Sequence, residues 1–424
     1  MTLTPEGYRK RLIDNKLARM MRVFGAVSIE GPRWVGKTWC AENFCNSEFK
    51  LTGKTAGIKN RDLAQSDPEI ALKGEKPHLI DEWQEIPSIW DDVRNEVDGS
   101  TEKGRFVLTG SSIPKRNKYI HSGTGRIAKI DMRTMTLFEM GDSDGSISLN
   151  DLLSGKLETK DCGEQTLDRL ADLMIRGGWP SDIDTLSEDY GLTAKQYSIE
   201  AVIDACRLDD KERNKDKMSM LLRSLARNES TLASDSKLMK DMLKYDDDTI
   251  TPATFSEYID CLDRIHLIED TPCFRPNIRS DWRIGKTPKR HLTDVSLAIA
   301  AMGANKERIV SDLNTFGFLF ESLCEHDLAI YSEYLGCKFF HYRDGRDREI
   351  DAVIESSDGS WTAIEIKLGP GQIDAAAESL LKIRDVFEKE GIAPKNLVII
   401  CGMTRYAYRR LDGVFVIPIT SLGP

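Results

Sequence analysis

The 424-residue chain contains no C-x-x-C pair, and its nine cysteines are scattered and odd in number. That pattern argues against a disulfide framework and suits a reducing compartment. No stretch approaches the roughly 18 to 20 uninterrupted apolar residues needed to span a bilayer, so no membrane partner is expected. The start, Met1 to Asp14, is polar and charged and lacks the apolar core of a secretion signal, so the expected setting is the cytoplasm. An excess of positive charge is missing as well. With a formal net charge of −10, the chain is not coated in phosphate-neutralising cations, and any contact with nucleic acid must be local.

A hydrophobic content of 40% and a charged content of 30% describe an ordinary soluble protein. The length exceeds what one core usually supports, so two or three domains are expected. Gly31-Pro32-Arg33-Trp34-Val35-Gly36-Lys37-Thr38 fits G-x-x-x-x-G-K-[ST] at every required position. It follows the apolar run Ala26 to Ile29, which reads as a buried strand, and precedes a helix-like run, Thr38 to Phe44. A glycine-rich turn in that context aims backbone N–H groups at phosphate oxygens, so the segment is expected to bind ATP or GTP. Lys37 would reach the β and γ phosphates and Thr38 would hold Mg²⁺.

A second carboxylate site follows where Pro77-His78-Leu79-Ile80 runs into Asp81 and Glu82. Asp81 would bind Mg²⁺ through water, and Glu82 would orient the attacking water, because phosphoryl transfer rests on positioning and charge stabilisation. A further strand, Arg105 to Thr109, ends in Gly110-Ser111-Ser112, which makes Ser111 a candidate sensor of the γ-phosphate or the water. From Ala26 to about Glu139, short apolar strands alternate with helical runs such as Ser88 to Val97. That is the pattern of a parallel sheet sandwiched by helices, with Gly31, Asp81 and Ser111 at strand ends.

Residues 142–150 read as a loop or linker. Helical patterns then run over Thr166 to Ile175, Ala194 to Arg207, Lys217 to Arg227 and Thr251 to Ile268, the first stopped by Gly177-Gly178 with Pro180 beyond. Arg275, Arg279, Arg283, Lys286, Lys289, Arg290 and His291, interleaved with Phe274 and Trp282, suit a β-hairpin wing. Together with the preceding helices, the stretch from Arg275 to His291 suggests a winged helix-turn-helix contact with DNA or RNA, alongside the simpler reading of a solvated loop.

The last hundred residues change texture. A helix from Phe316 to Tyr331 carries Glu321 among apolar neighbours. Strands are expected at Lys338 to Tyr342, Glu349 to Ile354, Trp361 to Leu368, Leu397 to Cys401 and Val414 to Ile417, with a helix from Gln372 to Lys389. Glu365 and Lys367 are two apart and project from one strand face, and Asp351 lies on the neighbouring strand. Carboxylates so clustered, Glu321, Asp351 and Glu365, can hold Mg²⁺ or Mn²⁺ while Lys367 steadies charge on a cleaved phosphodiester. The order of helix acid, strand acid and E-x-K is the layout of the PD-(D/E)xK nucleases, though E-x-K alone is a weak signal.

Taken whole, the chain resembles the bacterial and archaeal AAA-family ATPases that carry a C-terminal domain of unknown function, number 4143. The resemblance is carried by Gly31 to Thr38, Ile80-Asp81-Glu82-Trp83-Gln84 with Pro87, Leu108 to Ser112, Gly125-Arg126, Leu137-Phe138-Glu139, Gly177-Gly178-Trp179-Pro180, Arg348 to Asp351 and Ile364 to Lys367. It implies an AAA+-like P-loop ATPase domain at 1–145, a helical and winged-helix-like domain at 146–310, and an α/β restriction-endonuclease-like domain at 311–424. It favours ATP over GTP and makes Arg126 a candidate to complete a neighbouring subunit's ATP site in a homo-oligomer or ring. The expected function is a Mg²⁺-dependent ATPase whose nucleotide state controls a nuclease-like domain that binds or cleaves nucleic acid. The alternative is an ATP-dependent switch or scaffold with a catalytically silent nuclease-like domain.

Overall fold

The computed structural model describes all residues except 1, 54, 116–118, 120, 243–249, 276–286 and 347. The described chain condenses into two compact units. Residues 1–134, 204–213 and 259–267 form the first, and residues 135–203, 214–258 and 268–424 form the second. The segment expected as a separate middle domain is thus divided between them.

The first unit contains α1 (Ile13–Val23), β1 (Ala26–Glu30), α2 (Lys37–Glu42), β2 (Ser47–Lys50), α3 (Thr55–Ser66), β3 (His78–Asp81), α4 (Ile89–Asp98), β4 (Phe106–Gly110) and β5 (Ile127–Asp131). Its five strands form one parallel sheet in the order β2-β3-β4-β1-β5. β1, β3 and β4 are buried along their whole length, which is why they read as continuous apolar runs and not as alternating ones. Side chains on one face, including Ile80, Phe106, Leu108 and Ile127, pack with Trp83, Ile89, Trp90 and Val93 from the η-turn after β3 and from α4. The register puts Glu30 beside Gly110 and Asp81 beside Thr109, so the carboxyl ends of three strands finish level with one another.

In the second unit come α5 (Leu137–Met140), β6 (Ile147–Ser148), α6 (Leu149–Leu153), β7 (Lys160–Asp161), α7 (Leu167–Arg176), α8 (Leu192–Arg207), α9 (Lys215–Arg227), α10 (Asp235–Met242), α11 (Pro252–Arg264), α12 (Val295–Met302), α13 (Lys306–Ser311) and α14 (Leu313–Tyr334). The ends of α8 and α11 belong to the first unit. The chain closes with β8 (Lys338–Arg343), β9 (Glu349–Glu355), β10 (Trp361–Lys367), α15 (Ile373–Lys389), β11 (Asn396–Cys401), β12 (Tyr406–Arg409), β13 (Phe415–Ile417) and β14 (Leu422–Gly423).

Seven of these strands build a mixed sheet, β7-β12-β13-β11-β10-β9-β8, parallel at β10/β11 and β11/β13 and antiparallel elsewhere. α15 packs on β10 and β11, and α14 lies against β8, β9 and β10. Trp361, Phe387, Tyr342 and Phe274 meet in its core, with ring centroids 5.0 to 5.4 Å apart for the pairs Phe274–Trp361, Trp361–Phe387 and Tyr342–Phe387. The expected linker at 142–150 holds structure instead: β6 pairs in parallel with β14, and the Ser148 hydroxyl accepts from the Asp151 N–H to cap α6. Among the described residues, no helix is long and apolar enough to cross a membrane.

Candidate nucleotide site and carboxylate centre

The phosphate-loop segment turns directly out of β1. A Cβ on Gly31 would stand 2.2 Å from the Met132 carbonyl oxygen, so only glycine lets the chain pass there. Gly36, with φ 95°, sits in the left-handed region immediately before α2, a conformation that favours glycine. Trp34 adopts φ 66° and stays part-exposed, a strained backbone for an aromatic residue inside the loop. Val35 is buried, and its carbonyl accepts from Arg11 Nη1 at 2.8 Å, while Arg11 Nη2 donates to Arg133 O at 3.0 Å. Arg33 pairs with Asp204 at 2.5 Å. These contacts hold the loop from outside.

Lys37 is buried and its Nζ donates to the carbonyls of Gly31 at 2.9 Å and Pro32 at 2.6 Å. Burial pushes its pKa down to about 8, with Glu82 and Asp81 working against that and Arg33 adding to it. Asp81 Oδ1 accepts from Thr38 Oγ1 at 2.8 Å and from Thr109 Oγ1 at 2.6 Å. Burial raises the Asp81 pKa and the two hydroxyls oppose the rise. Thr38 and Asp81 are therefore brought together, a hydroxyl and a carboxylate from two elements meeting at one point.

Glu82 follows in the left-handed region at φ 61°, and its N–H donates to Thr109 Oγ1 at 3.1 Å. Its carboxylate accepts from Ser111 Oγ at 2.8 Å and, in closer contact, from Gln84 Nε2, which also donates to Ser111 Oγ at 3.2 Å. Glu82 and Ser111 are thus paired directly, and Thr109 and Gln84 are partners that motif reading did not assign. The signal for Thr109 was its place one residue before the strand end opposite Asp81.

Arg126, expected at a neighbouring subunit's site and not at this one, lies elsewhere. It precedes β5, and Ala26, at the start of β1, is level with Ile127, so it lies roughly 15 Å of strand away from the phosphate loop. There its guanidinium closes tightly on Asp98 at the end of α4. A further residue enters from later in the chain. His266 adopts φ 56°, its Nε2 is buried with no hydrogen-bond partner, and burial with the charges of Lys37 and Lys129 pushes its pKa down to about 4.

The second constellation is closed by lysines. β9 and β10 place Asp351 so that Oδ2 accepts from the Ile366 N–H at 2.8 Å and from Lys367 Nζ at 3.0 Å, and Lys367 also reaches Glu365 Oε2 at 2.6 Å. Against burial, Lys367 and then Lys289 hold the Asp351 carboxyl below its usual range. Glu321 faces the same centre from α14 but is taken up by Lys289, whose Nζ contacts Glu321 Oε1 closely, Glu325 Oε1 at 2.8 Å and the Asp351 carbonyl at 3.3 Å. Burial disfavours that ammonium, yet Glu325, Glu321 and Asp351 outweigh it and keep its pKa well above the ordinary value. Behind Glu325, the His291 ring stands 3.3 Å from Oε2 and 3.1 Å from Glu229 Oε1.

Among the described residues, no three His, Cys, Asp or Glu side chains are grouped so as to hold a metal ion. Lys367 joins Asp351 to Glu365, and Lys289 joins Glu321 to the Asp351 carbonyl, so the oxygens of these acids face ammonium groups. Glu325, one helical turn beyond Glu321 and on the same face, escaped sequence reading, although the i, i+4 spacing was there to find it.

This geometry also corrects the basic stretch. Residues 276–286, and with them Arg279, Trp282, Arg283 and Lys286, lie outside the described residues. Lys289 and His291 are buried against carboxylates, Arg290 pairs with Asp270 and Asp235 at 2.6 Å each, and Phe274 is in the core. These four leave the set of surface contacts, and Arg275 remains exposed. The flanks do pair as antiparallel arms, Thr271 with Lys289 and Ile268 with Leu292.

Comparison with known proteins divides the chain into three blocks. Residues 24–141 match the model of an AAA domain, residues 167–308 a domain of unknown function (DUF8612), and residues 316–422 another (DUF4143). The chain therefore carries an AAA domain, which contains the five-stranded parallel sheet, and a DUF4143 domain. It is 24% identical over 371 residues to the uncharacterized proteins Mb2031c of Mycobacterium bovis and Rv2008c of Mycobacterium tuberculosis, a span covering 83% of this chain and 72% of each relative. Among solved structures, the Walker-type ATPase PABY2304 of Pyrococcus abyssi is similar at 13% identity, with 71% of this chain and 97% of that one covered and a TM-score of 0.43. A signal-transduction ATPase with a tetratricopeptide-repeat sensor from Pyrococcus horikoshii, PH0952, is similar at 13% identity, with 78% and 50% covered and a TM-score of 0.21. These scores are too low to establish a shared fold.

Proposed function

We propose that this protein binds and hydrolyses ATP with Mg²⁺ at the ends of β1, β3 and β4, and that its nucleotide state controls the C-terminal nuclease-like domain, which binds or cleaves nucleic acid. The observation that carries the ATPase reading is the convergence of Lys37, the Thr38–Asp81 pair and the Glu82–Ser111 pair on one edge of the parallel sheet. A hydroxyl and a carboxylate 2.8 Å apart are a fitting donor set for Mg²⁺, which prefers oxygen ligands and retains water. When bound, Mg²⁺ supplies charge neutralisation across the phosphates.

The remaining work falls to the chain. The Lys37 ammonium, now resting on two carbonyls, is free to turn to phosphate oxygens. Thr109 holds Asp81 and the backbone of Glu82 at once. Ser111 and Gln84 fix the Glu82 carboxylate, which orients the water. Lys37→Ala should weaken ATP binding, whereas Glu82→Gln should bind ATP and turn it over slowly. Unchanged hydrolysis in both variants would refute the assignment.

A second reading, a switch whose nuclease-like domain docks a partner without cutting, is favoured by one observation: Lys289 and Lys367 take up the oxygens of Glu321, Asp351 and Glu365. ATP turnover measured with and without DNA, followed by a gel of the DNA, separates the two. Scission with Mg²⁺ or Mn²⁺ that is lost in Asp351→Ala supports the first reading. Nucleotide-dependent partner binding with intact DNA supports the second.

A further inference from the structure

The three elements that supply the acids of the carboxylate centre are α14, β9 and β10. Lys289 comes from none of them. It lies on an arm fixed by a reciprocal pair of backbone hydrogen bonds with Thr271, at 2.9 and 3.0 Å, and it reaches across into the centre. Its side chain is 1% exposed, and its three N–H donors meet three oxygens: Glu321 Oε1, Glu325 Oε1 and the Asp351 carbonyl. An ammonium is withdrawn from water this completely only where carboxylates offset the loss.

We infer that Lys289 is a tethered cation standing where a divalent metal would otherwise be bound, and that it keeps the carboxylate centre closed to metal while it is seated. Ammonium and metal compete for the same lone pairs. A hard divalent ion needs oxygens at about 2.0 to 2.6 Å, and Glu321 Oε1, Glu325 Oε1 and the Asp351 carbonyl cannot offer them while one ammonium holds all three. Lys367 holds a different set of oxygens, Asp351 Oδ2 and Glu365 Oε2, from the strand that carries Glu365 itself. With Lys289 gone, Glu321 Oε1, Glu325 Oε1 and the Asp351 carbonyl would lose their shared cation, and a divalent ion could take its place on those oxygens while His291 stays beside Glu325 Oε2. The inference rests on the second reading above, in which the nuclease-like domain does not cut, and it stands whether or not ATP is hydrolysed.

The test is a Mn²⁺ titration of the nucleotide-free full chain followed by the paramagnetic signal of free Mn²⁺. Wild type should leave that signal untouched at the centre, and Lys289→Met should remove one further equivalent, binding at least about tenfold more tightly. The added equivalent should vanish in Lys289→Met combined with Glu321→Gln. If Lys289→Met folds only when Mn²⁺ is present, with its melting temperature rising with metal while that of wild type does not, the inference is equally supported. Wild type that already takes up Mn²⁺ in a manner lost in Glu321→Gln would overturn it, as would a folded Lys289→Met that binds no more metal than wild type. Lys289→Arg, which keeps a cation in place, should behave as wild type, and metal uptake by it would also count against the inference.

Discussion

At the scale of single residues, what distinguishes the nucleotide site is how few of its contacts are left to chance. Glu82 is held by a hydroxyl and an amide, both on its carboxylate, and by a third donor bond from its own N–H. Replacing Ser111 with alanine removes one charge-assisted hydrogen bond and should lower ATP turnover about tenfold with little change in ATP affinity. Steady-state kinetics with an independent binding measurement check this split.

His78, at the head of β3, makes a second residue-scale prediction. Its Nε2 donates to the Ala71 carbonyl at 3.0 Å and its Nδ1 shares a hydrogen bond with Ser47 at 2.7 Å. Burial first, and then the charge of Lys76, pushes its pKa down to about 4 from 6.5. The unfolded chain then binds the extra proton between those values, so stability is full above about pH 6.5 and falls as pH drops toward 4, by on the order of 3 kcal/mol. Denaturant titrations across that window should show a shallower fall in His78→Gln than in wild type.

At the scale of elements, the phosphate loop and its strands were legible because everything needed is contiguous: an apolar strand, eight loop residues and a helix. The strand ends at Asp81 and Thr109 are likewise local. β2, with the sequence Ser-Glu-Phe-Lys, was not legible. It is an edge strand, only partly buried, and its place is decided by pairing with β3 and not by its own pattern. Lys289 reads as part of a basic wing, and Glu325 escapes notice, for a related reason. Their partners are 32 to 62 residues apart, or one turn along a helix that reads as core.

The two short pieces 204–213 and 259–267 that join the first unit were also beyond reach of periodicity, which shows where a helix runs and not what its end packs on. There Arg264 grips Asp209 with two nitrogens at 2.7 and 3.0 Å, and its Nε donates to the Ile113 carbonyl at 2.8 Å, just past Ser111. The Arg264 guanidinium holds the Asp209 pKa down at about 2. Because the pair is almost wholly buried, Arg264→Ala should cost the first unit about 3 kcal/mol, read as a lower denaturation midpoint.

At the scale of the whole molecule, a chain with a net charge of −10 seats three of its lysines among acceptors: Lys37 on carbonyls, and Lys289 and Lys367 on carboxylates. At the phosphate loop, an anionic ligand would meet a prepared cation and not an open basic surface. Binding at that pocket must also stabilise the protein by mass action. At a hundredfold excess over the dissociation constant, Mg²⁺-ATP should add about 2.7 kcal/mol to the folded state that binds it.

Isothermal titration of the nucleotide-free full chain with Mg²⁺-ATP tests the account most directly, with Lys37→Ala as the paired sample. A saturable heat at one nucleotide per chain in wild type, weakened at least about tenfold in the variant, is the expected result. No heat from ATP in wild type, or equal affinity in Lys37→Ala, would contradict it.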